Sequence, residues 1–77
     1  MEIIYSKHWL RKHFRKRKDI TNDLIEFVLK NSKEFEDKYW ENAFNAISRI
    51  PLSGRLLKVV YKKSKEKVFI ITAFWLE

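Results

Sequence analysis

The run VFIITAFWL, residues 68–76, constrains the fold of this chain more than any other stretch. Its nine residues are apolar apart from one Thr, so both faces of a strand with a two-residue period would be hydrophobic. A strand with two apolar faces is covered on both sides. We therefore expect a central strand of a sheet, or one whose second face is covered by another subunit. The run is far shorter than the roughly 20 residues that a membrane-spanning helix needs.

The chain has 77 residues and no Cys. A chain of this size buries only about 60% of the surface that its unfolded form exposes, and it has material for one core. We predict a single domain over residues 1–77, held by packing and not by disulfides. No secretory segment precedes the first predicted strand, which favours a cytoplasmic protein. The charged fraction of 35% is typical of thermophilic proteins.

The first 31 residues predict a strand followed by two helices. Glu2–Tyr5 is rich in β-branched and aromatic residues, as strands are. Ser6 and Thr21 stand at N-cap positions, and the apolar residues after each recur at helical spacing, which predicts an αα-hairpin. The predicted apolar face of the first helix comprises Trp9, Leu10, His13, Phe14 and the aliphatic stem of Arg17.

Residues 34–50 permit two interpretations. Their hydrophobic spacing favours a helix, whereas the turn sequence IPLSG and the strand RLLKVVYK after it favour a preceding strand that pairs back. Alternation within RLLKVVYK separates two faces. One face carries Arg55, Leu57, Val59 and Tyr61, and the other carries Leu56, Lys58, Val60 and Lys62.

Positive charge is concentrated near the start of the chain. Residues 1–18 contain seven Lys and Arg and one acid, whereas the remaining residues contain ten Lys and Arg and nine acids. A helix built for solubility mixes charge signs to gain i, i+4 pairs, and this segment does not. A basic segment on a nearly neutral body is what binding to a phosphate backbone requires. The predicted nucleic-acid-binding residues are Lys7, Arg11, Lys12, Arg15, Lys16, Lys18 and, from the sheet, Arg49.

Three stretches in this order resemble the RelE/ParE toxin superfamily, and most of all its BrnT-like branch and an adjoining family of short bacterial and archaeal proteins. They are SKHW at residues 6–9, GRLLKVVY at residues 54–61 and VFIITAFW at residues 68–75. The resemblance favours a strand for residues 40–50. The expected fold is then α+β in the order β-α-α-β-β-β: a strand, a two-helix hairpin and a three-stranded antiparallel sheet.

The resemblance also implies a function, that of a prokaryotic toxin of a type II toxin-antitoxin system. In the well-studied relatives the activity is ribosome-dependent cleavage of mRNA, or gyrase poisoning in the ParE group, and many members of the adjoining family have no shown activity. The expected partners are RNA or the ribosome, an acidic antitoxin protein and a second copy of the chain, without a membrane.

Cleavage of RNA without a metal needs a proton acceptor, a proton donor and cations that stabilise the charge developing on the phosphorus oxygens. The candidate catalytic residues are His8, Arg55, Lys58 and Tyr61. His13 lies on the predicted apolar face, which favours a packing role. The two His residues are poorly spaced for metal binding and no carboxylate accompanies them, so we expect neither a metal site nor a cofactor.

Three functions remain open at this level. The first is a metal-independent endoribonuclease that acts on the ribosome. The second is a non-catalytic module that binds nucleic acid or the ribosome through the basic helix at residues 7–18. The third is an interaction protein that dimerises through its C-terminal strand.

Overall fold

The computed structural model describes residues 2–39 and 41–76, except for the side chain of Phe14. The strands form one sheet in the spatial order β1-β5-β4-β3-β2, and both helices pack on the same face of it. Along the chain the elements are β1 (Glu2–Tyr5), α1 (Lys7–Arg15), α2 (Asn22–Asn31), β2 (Glu34–Glu36), β3 (Ala43–Arg49), β4 (Leu56–Ser64) and β5 (Lys67–Leu76).

Both helices begin at the predicted N-caps. The Ser6 hydroxyl accepts a hydrogen bond from the Trp9 amide at 3.0 Å, and the Thr21 hydroxyl accepts one from the Leu24 amide at 3.3 Å. These bonds satisfy amides that have no partner within the first turn of a helix. The first strand and the two successive helices are confirmed, and the helices pack on the sheet, α1 against β5 and α2 against β3 and β4.

One part of the predicted apolar face of α1 is wrong. Trp9 is 1% exposed and buried against the sheet, but Leu10 is 46% exposed. At 100° per residue, a buried side centred on Trp9 and His13 leaves Leu10 at its flank, facing solvent. The side chain of Phe14, which was predicted on the same face, lies outside the described residues.

The sheet differs from the predicted three-stranded antiparallel one, because it has five strands and is mixed. β1 pairs in parallel with β5, from Glu2 opposite Lys67 to Tyr5 opposite Ile70. The other three pairings are antiparallel. A parallel neighbour requires a long crossover, and here the helices and three strands lie between β1 and β5. The α+β class holds, whereas the strand count and the purely antiparallel pairing are wrong.

The ambiguous segment contains two strands. β3, Ala43–Arg49, confirms a strand within residues 40–50, although Trp40, where the predicted strand begins, lies outside the described residues. The edge strand β2 was not predicted. Its three residues are all exposed, so the alternation of buried and exposed positions that reveals a strand is lacking. A short edge strand that carries charges also limits pairing with other chains.

β5 is an inner strand, as its two apolar faces predicted. It pairs with β4 along its length and with β1 through Ile70. A bulge opposite Val60 and Tyr61 leaves Ile71 without a partner in β4, since these residues pair with Thr72 and Ile70 respectively.

The core lies between the helices and one face of the sheet. We refer to that face as the helix face, and to the opposite one, which no helix covers, as the open face. The buried core cluster consists of Trp9, Ile20, Ile25, Val28, Ala46, Ile50, Leu57, Val59, Tyr61, Val68, Ile70 and Ala73. The registers place the following residues on the open face: Glu2, Ile4, Phe35, Ala43, Asn45, Ile47, Arg49, Leu56, Lys58, Val60, Lys62, Ser64, Lys67, Phe69, Thr72, Phe74 and Leu76.

Candidate nucleic-acid interface

The predicted cations of the basic segment share the solvent side of α1 and the turn that follows it. Within residues 2–39 and 41–76, none of them forms a salt bridge with an acid. Five of the six are exposed and Lys12 is half-buried. They are Lys7, Arg11, Lys12, Arg15, Lys16 and Lys18, and we call them the α1 cations.

The helix geometry brings several α1 cations into one row. Lys7, Arg11 and Arg15 are spaced i, i+4, i+8, so they follow each other along the exposed side opposite Trp9. The first turn contains no acid, and basic side chains in the last turn interact favourably with the negative end of the helix dipole. Such a row can bind successive phosphates of an extended anion.

A surface depression of about 440 Å³ lies along this helix. Its lining is His8, Arg11, Lys12, Arg15, Lys16 and Arg17. Every one of these side chains can donate hydrogen bonds, and five are cations. The depression is therefore concave and positively charged. His8 is the only one of the four predicted catalytic residues in its lining.

Arg17 joins this depression to the sheet. Its Nη1 donates to the Thr72 hydroxyl and to the Ala73 carbonyl, both at 3.1 Å. Its guanidinium carbon lies 5.6 Å from the centre of the Phe74 ring. Because β1 pairs with β5 only as far as Ile70, this contact covers an edge that would otherwise lack a partner among the described strands.

Arg55 lies at another place, just before β4. Its guanidinium carbon is 4.1 Å from the centre of the Trp75 ring, and its Nη1 lies 3.5 Å from an oxygen of Asp19. The Trp75 indole nitrogen donates to the same carboxylate at 2.9 Å. The predicted catalytic Arg therefore belongs to an exposed cluster that ties β4 and β5 to the turn between the helices.

Tyr61 and Lys58 face opposite sides of the sheet. The Tyr61 hydroxyl is on the helix face and donates to Glu34 at 2.7 Å. Burial, followed by the hydrogen bond and the negative charge of Glu34, raises the pKa of Tyr61. Lys58 lies on the open face, with its ammonium nitrogen 5.6 Å from the centre of the Phe74 ring. A group that is buried and held neutral is poorly suited to proton transfer with a substrate.

The four predicted catalytic residues are not brought together. Arg55 precedes Tyr61 by six residues, which is about 20 Å along an extended chain. His8 lies in the depression on α1. His13 is half-buried against Trp9, with ring centres 5.7 Å apart. The last predicted binding residue, Arg49, lies at the end of β3 on the open face and donates to the carbonyl of Gly54.

The residues that sequence reasoning missed are Arg17 and the aromatic side chains of the open face. Arg17 was grouped with the apolar face of the helix, and its bonds to β5 depend on tertiary packing that no local pattern reveals. Phe69 and Phe74 are separated by the bulge, which breaks the two-residue period of the run.

Within the described parts of the chain, no three His, Cys, Asp or Glu side chains lie close enough to hold a metal ion. Over the same residues, neither helix is long and apolar enough to cross a membrane. Comparisons with protein-family models, with curated proteins and with solved structures found no match to this chain.

Proposed function

We propose that this protein binds RNA by its phosphate backbone, through the α1 cations. The observation that supports the proposal is that six cations lie on one helix and its following turn without an acidic partner in the described residues. Neutralising each phosphate releases condensed counterions, so unpaired cations gain affinity that paired ones do not. The choice of RNA rests on the resemblance to toxins that act on mRNA at the ribosome.

The charge of the remaining chain supports a localised interface. Residues 19–77 contain ten Lys and Arg and nine acids, so their charges nearly cancel, and one pair among them joins Lys63 to Glu34 at 2.8 Å. A sequence-independent contact needs only donors to phosphate oxygens, and the side chains of the row Lys7, Arg11 and Arg15 are of the types that most often supply them.

The experiment is fluorescence anisotropy of a labelled RNA strand titrated with protein at several salt concentrations. One variant replaces Lys7, Arg11 and Arg15 with Gln. A matched control replaces three exposed cations elsewhere, Lys33, Lys65 and Lys67, and so has the same net charge. The slope of log affinity against log salt is the quantity compared. In the first variant we expect this slope to become shallower by about 0.7 for each phosphate contact removed, and in the control to equal that of the parent protein.

Two results would contradict the proposal. One is an affinity for RNA that does not change with salt. The other is an equal loss of affinity in both variants, which would mean that total charge, and not the arrangement on α1, attracts the RNA.

A second candidate function is metal-independent cleavage of the bound RNA, as a toxin would perform it. The observation in its favour is that His8 lines the same depression as the cations, where it can exchange a proton with a ribose hydroxyl held by phosphate contacts. The test is primer extension on mRNA from a translation extract, with and without ribosomes. New ends that vanish in His8→Gln, while RNA binding persists, would establish cleavage.

A further inference from the structure

The open face of the sheet contains a trough that the α1 cations do not explain. Its floor is a row of short side chains aligned across three strands by their register: Asn45, Val60 and Thr72. Val60 is 4% exposed, so the floor is recessed. The Asn45 side-chain oxygen is buried and has no hydrogen-bond partner within residues 2–39 and 41–76.

The two walls of the trough repeat the same pair of residue types. On one side Lys58 of β4 stands opposite Phe74 of β5, and on the other Lys62 stands opposite Phe69. Each wall therefore offers one cation beside one aromatic ring. The two Lys residues are four apart on the strand, which is about 13 Å.

The trough is open to solvent and reaches the basic helix. Phe69 is 37% exposed, and Phe35, at the β2 end, is 56% exposed. At the β5 end, the floor residue Thr72 accepts a hydrogen bond from Arg17, which also lines the depression on α1. One ligand can therefore contact both surfaces around the edge of β5 that Arg17 covers.

The charges select among the ligands that fit. The β4 and β5 walls are cationic, whereas the charges beside Phe35 at the β2 end are mixed, with Glu36 and Asp37 next to Lys38. A second copy of the same face would bring Lys58 and Lys62 near their counterparts, which is unfavourable. Single-stranded nucleic acid fits, because its unpaired bases stack on aromatic rings while its phosphates approach cations.

We propose that this trough binds the unpaired bases of single-stranded RNA, by stacking on Phe69 and Phe74, while Lys58 and Lys62 contact the adjoining phosphates. The proposal rests on the proposed function, since the α1 cations hold the neighbouring part of the strand. Duplexes are not bound here, because their base faces are already stacked on each other.

The experiment compares a labelled single-stranded RNA with an RNA duplex of the same length, by anisotropy at several salt concentrations. The test variant is Phe69→Leu with Phe74→Leu, which keeps apolar bulk and removes both rings. The control is Phe44→Leu, an aromatic residue on the helix face of the same sheet. Thermal unfolding of each variant verifies that it is folded. A single-stranded DNA of the same sequence shows whether the ribose hydroxyl contributes.

We expect the double variant to bind the single strand roughly tenfold more weakly per ring, with an unchanged salt slope, because stacking releases no counterions. Binding of the duplex is expected to stay the same, and the Phe44→Leu control to match the parent. Replacing Lys58 and Lys62 with Gln is expected to lower the salt slope for the single strand only.

Three results would overturn the proposal. The first is unchanged binding of the single strand by the double variant. The second is an equal loss for the single strand and the duplex. The third is RNA binding that does not depend on Phe69 and Phe74, while these rings are needed for binding of poly-glutamate or for self-association in sedimentation. The trough would then be a surface that docks protein. If the parent binds no RNA in a salt-dependent manner, the proposed function itself fails, and this result differs from all three.

Discussion

The guanidinium of Arg55 lies over the indole of Trp75, 4.1 Å from the centre of the ring. Both side chains also contact Asp19, so one carboxylate joins the two strands to the turn between the helices. Arg55 is one of the four candidate catalytic residues predicted from the sequence. Its contacts show a structural role that any functional test must separate from chemistry.

Replacing Arg55 with Ala is expected to lower the free energy of unfolding by about 1 kcal/mol, since an exposed cation–π contact contributes about 0.5–1 kcal/mol and an exposed ion pair somewhat less. The measurement is chemical denaturation followed by Trp fluorescence. Arg55→Lys keeps the charge, and we expect it to lose only part of the free energy of unfolding that Arg55→Ala loses. If Arg55→Ala is as stable as the parent, the cluster does not contribute to stability.

Removal of Arg17 is expected to uncover the outer edge of β5. The Ala73 carbonyl loses a hydrogen bond from a charged donor, which costs about 1.5–3 kcal/mol, and an unpaired edge favours association with other strands. Arg17→Ala is therefore expected to be less stable and more prone to self-association in sedimentation velocity. The neighbouring Lys16→Ala is the control, because Lys16 is exposed. A monomeric, fully stable Arg17→Ala protein would contradict this role.

Stability at acid pH is expected to depend on Glu34. Partial burial raises the pKa of this carboxyl, but hydrogen bonds from Lys63 and Tyr61 outweigh it and bring the pKa below its ordinary 4.5. A carboxyl whose pKa is lower in the folded chain stabilises the fold above its unfolded pKa, and this contribution is lost as the pH falls through the folded value. The side chain is 34% exposed, so we expect less than about 1 kcal/mol.

The measurement is the free energy of unfolding of the parent and of Glu34→Gln from neutral pH down to acid pH. We expect the difference between them to shrink below pH about 4.5. Glu36→Gln, on the same exposed strand, is the control. A difference that is constant over the whole range would show that the Glu34 charge does not stabilise the fold.

Leu52 adopts a backbone conformation that suits Gly better. Its φ is 74° and its side chain is fully exposed. The Ser53 amide donates to the Pro51 carbonyl around it at 2.9 Å, which forms a three-residue turn of the strained type. Leu52→Gly is expected to raise the free energy of unfolding by up to about 1 kcal/mol, because a left-handed conformation costs a branched residue about that much more than Gly. Thermal unfolding measures it, and a lower Tm would contradict the assignment of strain.

The sequence predicted those parts of the fold that local rules control. Ser6 and Thr21 identify the helix starts because N-cap chemistry is local, and the two-face alternation of β4 separates Lys58 from Tyr61 correctly. The parallel pairing of β1 with β5 was missed because it joins residues far apart in the chain. β2 was missed because an exposed strand leaves no hydrophobic period.

The candidate site likewise has a part that the sequence predicts and a part that depends on tertiary structure. The α1 cations are contiguous in sequence, so charge counting finds them, and the structure adds that they have no acidic partner in the described chain. The trough depends on residues from three strands aligned by register and on a bulge at Ile71, and neither can be read from a single sequence.

The parallel pairing of β1 with β5 has a consequence for how the chain folds during synthesis. Glu2 cannot meet its partner Lys67 until the chain has been made as far as residue 67. Contacts of such long sequence separation slow folding, because the loop must close before the contact forms. Until then Trp9 and the other apolar residues of this segment have no β5 to cover them, and the nascent chain presents an amphipathic, strongly cationic segment to its surroundings. We therefore expect the emergence of β5 to be the step that commits the whole protein to its fold.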